Sequence, residues 1–146
     1  MDTQPMEILL VEDNEDDIVL EREALAEAKL INLMSVVRDG DEAMAFLRRQ
    51  GQYRNAQAPG LILLDINMPK KNGFEVLNEI KADPALVHIP VVILTTSDSE
   101  ADVVKSYSKG ACSYITKPMD FDKFREVVKQ FALYWALVAR VPAHAR

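Results

Sequence analysis

A doubly wound α/β fold, with five parallel strands between two layers of helices, is the architecture this 146-residue sequence predicts. Two observations carry the prediction. Five short apolar runs recur along the chain, each followed by a segment with apolar residues at helical spacing; that alternation is the signature of parallel strands joined by right-handed crossovers. The runs are also continuous rather than alternating, as in Leu61-Ile62-Leu63-Leu64, which is the pattern of strands covered on both faces.

The first run, Ile8 to Val11, stops abruptly at Glu12-Asp13-Asn14-Glu15-Asp16-Asp17. Asn14 suits an N-cap, and the acids beyond it suit the positive end of a helix whose apolar positions are Ile18, Leu25 and Ala28. A weaker strand over Asn32 to Val37 follows, then Asp39-Gly40-Asp41 leading into a helix with Ala43, Met44, Phe46 and Leu47. The polar stretch Gln50 to Pro59 is longer than the two to six residues usual between such elements, and is read as a tolerated insertion rather than a binding loop. The third strand, Leu61 to Leu64, ends at Asp65, and a helix with Phe74, Leu77 and Ile80 on one face stops before Asp83-Pro84. Ile89 to Leu94 predicts the fourth strand, closed by Thr95-Thr96-Ser97-Asp98. A helix with Val103, Val104 and Tyr107 then ends at Gly110, a fifth strand covers Cys112 to Thr116, and a last helix runs from about Asp120 to Ala139.

Length predicts one domain spanning 1–146. With 17 Lys and Arg against 23 Asp and Glu, a net charge of -6, and no dense basic cluster, the chain is not built to track a phosphate backbone, so nucleic acid is not an expected partner. One cysteine, Cys112, allows no internal disulfide, and the polar N-terminus has no signal-peptide pattern, which points to a cytoplasmic location. The most apolar stretch, Phe131 to Val141, is about half the roughly 20 residues needed to span a bilayer, so no membrane segment is expected.

The chemistry lies at the strand ends. If the sheet is parallel, Glu12-Asp13, Asp65, Thr95 and Lys117 all open on one edge, in the crevice where open α/β sheets bind ligands. Three carboxylates brought together repel unless a cation sits among them. Oxygen ligands without Cys or His suit Mg²⁺ better than zinc, and His88 and His144 read as surface residues. A carboxylate beside Mg²⁺ can accept a phosphoryl group as an acyl phosphate, with Lys117 as a neutralising cation and Thr95 as a hydroxyl donor.

These residues carry a resemblance. The stretches V-E-D-N, L-I-L-L-D-I-N-M-P-K-K-N-G, L-T-T-S and Y-I-T-K-P fall in the order and spacing of the receiver domain of two-component response regulators, over about residues 6 to 138. The resemblance implies the flavodoxin-like (βα)5 arrangement with strand order 2-1-3-4-5. It implies that Asp65 is the phosphoacceptor, Asp13 a direct Mg²⁺ ligand, Glu12 an acidic partner acting largely through water, and Asn67 a metal ligand through its backbone carbonyl. Thr95 becomes the switch hydroxyl, Lys117 the phosphoryl-binding cation and Tyr114 the aromatic switch, while Pro118 follows a cis peptide bond in such domains. The phosphoryl donor would be a sensor histidine kinase or phosphotransfer protein. The region Arg48 to Pro59 with Tyr53, and the aromatics Phe131, Tyr134 and Trp135 of the last helix, further resemble single-domain regulators that pair with bacterial phytochrome kinases. One departure is Thr96, where many receivers carry a smaller residue; its bulk would narrow access to the phosphoryl group.

Three other readings are weighed against this one. A pseudo-receiver scaffold that is never phosphorylated conflicts with the complete set Glu12, Asp13, Asp65, Thr95 and Lys117. A phosphatase of the haloacid dehalogenase type needs an acid two positions after the nucleophile, where this chain has Asn67. A flavin-binding protein needs a phosphate loop where Glu12-Asp13 would repel the phosphate. In the last helix, Phe124, Val127, Val128, Phe131, Trp135 and Val138 form one stripe, with Phe121, Leu133 and Leu137 off it. About 30 Å of helix is long for covering one small sheet, and the apolar excess near Tyr134 and Trp135 predicts a homodimer through the helix-four, strand-five and helix-five face.

Overall fold

The computed structural model describes residues 6–27, 34–68, 70–96, 99–117 and 121–139, with the side chains of residue 121 and of 136–139 excepted. Five strands alternate with five helices: β1 (Ile8–Val11), α1 (Glu15–Glu27), β2 (Met34–Val37), α2 (Gly40–Leu47), β3 (Leu61–Leu64), α3 (Gly73–Ala82), β4 (Val91–Thr95), α4 (Glu100–Ser108), β5 (Ser113–Thr116) and α5 (Phe121–Ala139). Every pairing is parallel and the strand order is β2-β1-β3-β4-β5, as expected. Because side chains alternate across each strand, the apolar runs feed two cores. Leu9, Val11, Ile62, Leu64 and Ile93 pack with α2 and α3 residues such as Met44, Leu77 and Ile80. Ile8, Leu10, Leu61, Leu63 and Leu94 pack on the opposite face against Ile18 and Leu25 of α1 and Phe124 and Val128 of α5. β1, β3 and β4 are buried along their whole length, which is why their sequences show no polar alternation.

Helix starts follow local chemistry. Asn14 accepts from the Asp17 N–H at 3.0 Å, Asp39 from the Glu42 N–H at 2.8 Å and Ser99 from the Asp102 N–H at 3.1 Å. Asn72 and Glu75 form a reciprocal capping box at α3. α4 ends as its glycine predicts: Gly110 has φ of 102°, its N–H reaches the Tyr107 carbonyl, and the Ala111 N–H reaches the Ser106 carbonyl. α2 ends with the same two bonds, Arg49 to Phe46 and Gln50 to Ala45, but a non-glycine, Arg49, takes the left-handed position at φ 55°.

Some boundaries differ from expectation. β4 opens at Val91 because Ile89 and Pro90 belong to the preceding connection; the Pro90 carbonyl accepts from the Ile62 N–H at 3.0 Å, but proline has no N–H to give back to the ladder. β5 opens at Ser113, one residue after the exposed Cys112. The Gln50–Pro59 stretch carries a single 3₁₀ turn, Gly51–Tyr53, and Tyr53 is tied back to α2 by its hydroxyl on Glu42 at 3.1 Å and its ring beside Phe46. Residues 28, 32, 33, 118–120 and 144 lie outside the described residues, and with them the expectations for Ala28, for the start of the second strand, for the peptide before Pro118 and for His144. His88 is exposed, as expected.

In α5 the aromatics divide. Trp135 is half-buried and belongs to the core beneath β1 and β3; a Cβ added at Gly60 would run into its ring and into Met6. It therefore seals the domain and is not part of an apolar excess. Leu133 and Tyr134 are the exposed pair, at 69% and 59%. No helix among the described residues is long and apolar enough to cross a membrane.

Candidate functional site

The site is assembled by strand register. β1 and β3 pair Val11 with Leu64, so the next residues, Glu12 and Asp65, leave the sheet side by side, with the Asp65 N–H on the Val11 carbonyl at 3.1 Å. β4 and β5 pair Thr95 with Thr116, and the Lys117 N–H reaches the Thr95 carbonyl at 2.7 Å, which carries Lys117 to the same edge. Gly73 lets the β3–α3 loop fold tightly: its N–H bonds the Ile66 carbonyl at 2.8 Å, and a Cβ there would collide with the Asp65 carbonyl and the Ile66 Cα.

Glu12, Asp13 and Asp65 offer carboxylate oxygens all within 4.8 Å of one another. That set, three carboxylates with no Cys or His, could hold a hard divalent cation. Glu12 and Asp65 are buried and Asp13 is exposed. The Asn67 N–H donates to Asp65 Oδ1 at 3.4 Å, and Asn67, Asp13, Asp65 and Lys117 line an open cleft of about 490 Å³. The Lys117 side chain is almost wholly buried; its ammonium pairs with Glu12, lies 2.9 Å from Asp17 Oδ2 and stands 3.8 Å from Asp65 Oδ2. Thr95 is fully buried at the end of β4, and Tyr114 is buried in β5 on the face packed by α2 and α3. Thr96, the bulkier neighbour, lines the cleft mouth.

The electrostatics follow from this packing. Burial, then the adjacent Glu12, push the Asp65 carboxyl up to about 7, against the pull of Lys117. Burial also works against the Lys117 charge, but hydrogen bonds to Glu12 and Asp17, with Asp65 nearby, hold its ammonium above the usual lysine range. A divalent cation among the carboxylates would favour ionised Asp65.

Every residue singled out at the strand ends thus reaches one edge, and two more that sequence reasoning did not find join them from α1. Asp17 is a carboxylate partner of Lys117. Glu21, one turn further along α1, is 1% exposed, and neither of its carboxylate oxygens has a hydrogen-bond partner among the described residues. Burial, followed by repulsion from Glu12, pushes its carboxyl up to about 9. The available signal was the spacing: 17 and 21 lie on one face of a helix whose apolar positions 18 and 25 flank that face.

Comparison with known proteins places this arrangement. Residues 8–129 match the model of the response regulator receiver domain. Response regulator Rcp1 of Synechocystis sp. is 45% identical over 139 residues, which are 95% of this chain and 95% of that protein. The crystal structure of the phosphorylated cyanobacterial phytochrome response regulator RcpA superposes with a TM-score of 0.79 at 48% identity, covering 96% of this chain and all of that one. That of the Mn²⁺-bound form of response regulator Rcp1 gives 0.76 at 44% identity, covering 95% and 100%. The chain therefore belongs to the response regulator receiver domain family, and its relatives include phytochrome response regulators.

Proposed function

We propose that the chain is a single-domain, cytoplasmic response regulator that takes a phosphoryl group onto Asp65 from a sensor histidine kinase of the phytochrome type, or from a phosphotransfer protein, in a Mg²⁺-dependent step. The carrying observation is the convergence on Asp65: two acids, Glu12 and Asp13, within 4.8 Å, and the Lys117 ammonium at 3.8 Å. Glu12, Asp13, Asp65 and the Asn67 backbone carbonyl are the groups that would hold the cation. Bound there, Mg²⁺ supplies positive charge to the phosphoryl oxygens as charge spreads over them. An Asp65 oxygen attacks the phosphorus of a phosphohistidine; the O–P bond forms as the N–P bond breaks, and the imidazole leaves with that electron pair. Lys117 compensates the charge of the resulting acyl phosphate, and the Thr95 hydroxyl donates to one of its oxygens.

Output is by contact. Thr95 moving toward the phosphoryl group frees space that Tyr114 fills, which reshapes the surface formed by α4, β5 and α5. Val104 and Tyr107 of α4 and Leu133 and Tyr134 of α5 are exposed large apolar side chains, and they support a second copy of the chain as the partner of those helices. The deciding experiment is phosphotransfer from a panel of purified histidine kinases, read by intact mass with Asp65→Asn as control. An adduct of one phosphoryl group on the wild type alone is the expected result; label on Asp65→Asn would remove the site assignment.

A further inference from the structure

The Lys117 ammonium has three N–H donors, and two of them are taken by carboxylates from outside β3: Glu12 at the end of β1 and Asp17 in the first turn of α1. Asp65, at 3.8 Å, is within ion-pair range but beyond hydrogen-bond reach. Asp17 is itself held. Its N–H donates to the Asn14 side chain at 3.0 Å, and the Asn14 N–H donates to Glu12 at 3.3 Å, so the loop after β1 links both anchors of the lysine. The positive end of α1 also favours a negative charge in its first turn.

We propose that Asp17 is a positioning residue for phosphoryl acceptance: with Glu12 it holds the Lys117 ammonium off the Asp65 carboxylate until a phosphoryl oxygen arrives to take the remaining N–H. This rests on Asp65 being the phosphoacceptor. An ammonium held by Glu12 alone is free to close the 3.8 Å gap and pair with Asp65. The paired carboxylate is a weaker nucleophile, and the lysine then occupies space needed by the incoming group. With Asp17 present the nucleophile stays open while the cation waits beside it. The separation is built into the resting protein, as preorganisation requires.

The test is phosphorylation of the full chain by acetyl phosphate and Mg²⁺, followed by intact mass, in a double-mutant cycle of Asp17→Asn and Lys117→Met with Asp17→Glu alongside. Asp17→Asn keeps the shape and removes the charge; it is expected to slow phosphorylation about ten-fold, the scale of one lost charge-assisted hydrogen bond. With Lys117 already methionine, the same change is expected to alter the rate by less than about two-fold, because the residue acts only through the lysine. Asp17→Glu is expected to recover most of the loss. Equal losses in both backgrounds would show that Asp17 acts on the fold or on the overall charge of the cleft, and would overturn the proposal. If Lys117→Met does not fold, Asp17→Glu decides alone, and no recovery overturns it. Absence of an adduct on the wild type would sink the phosphoacceptor reading and this proposal with it, whereas an adduct with equal losses sinks the proposal alone.

Discussion

Glu21 allows a sharp test of how burial sets the energetics of this fold. The residue is 1% exposed and its carboxyl is unpartnered among the described residues, and burial together with Glu12 pushes it from an ordinary 4.5 up to about 9. Between those two values the folded chain holds a proton that the unfolded chain releases. The contribution of Glu21 to stability is therefore intact below about pH 4.5 and falls as pH rises toward about 9. The slope approaches 1.4 kcal/mol per pH unit, so roughly 3 kcal/mol is lost between about pH 5 and about pH 7.5. Glu21→Gln has nearly the same shape and no proton to lose. Urea unfolding followed by circular dichroism at the two pH values is expected to show the variant gaining about 3 kcal/mol on the wild type from the lower pH to the higher. Glu21→Leu is expected to be more stable than either at neutral pH, since it removes a buried polar group that has no partner. Parallel pH dependences for wild type and Glu21→Gln would refute the reasoning and show that Glu21 is solvated or paired in solution.

Other consequences are equally direct. Gly73→Ala would drive a Cβ into the Asp65 carbonyl and the Ile66 Cα; a loss of about 2 kcal/mol or more in chemical unfolding, with slower phosphorylation, is expected from moving that loop. Arg49→Gly relieves a left-handed residue at the end of α2 and is expected to raise stability by about 0.5–1 kcal/mol, seen as a higher urea midpoint with unchanged slope. Thr95→Ala is expected to leave phosphorylation by acetyl phosphate in place while lowering the phosphorylation-dependent change in α4 and α5, measured by hydrogen exchange; an undiminished change would remove Thr95 from the coupling. Replacing the exposed Leu133 and Tyr134 by Glu and Ser should keep stability within about 0.5 kcal/mol while shifting sedimentation toward monomer; unchanged self-association would place the contact elsewhere.

Much of this protein was legible before any coordinates. Residues at the end of a strand point to the sheet edge whatever else the fold does, so Glu12, Asp13, Asp65, Thr95 and Lys117 could be gathered from five apolar runs alone, and the parallel register brings them together. The start of the first helix was equally readable at Asn14, and that of the second at Asp39-Gly40-Asp41, because an N-cap is decided by atoms a few residues apart. Two things were decided only by tertiary packing. Which face of α1 turns under the cleft depends on how the helix lies across β1 and against α5, so the spacing of Asp17 and Glu21 on one helix face did not by itself bring them to the site. Trp135 and Tyr134 are neighbours with similar sequence credentials, yet Gly60 leaves space for the ring of the first, and nothing among the described residues covers most of the second. Periodicity sorts residues by direction around a helix axis, but the depth to which each is buried is set by the partner that direction meets.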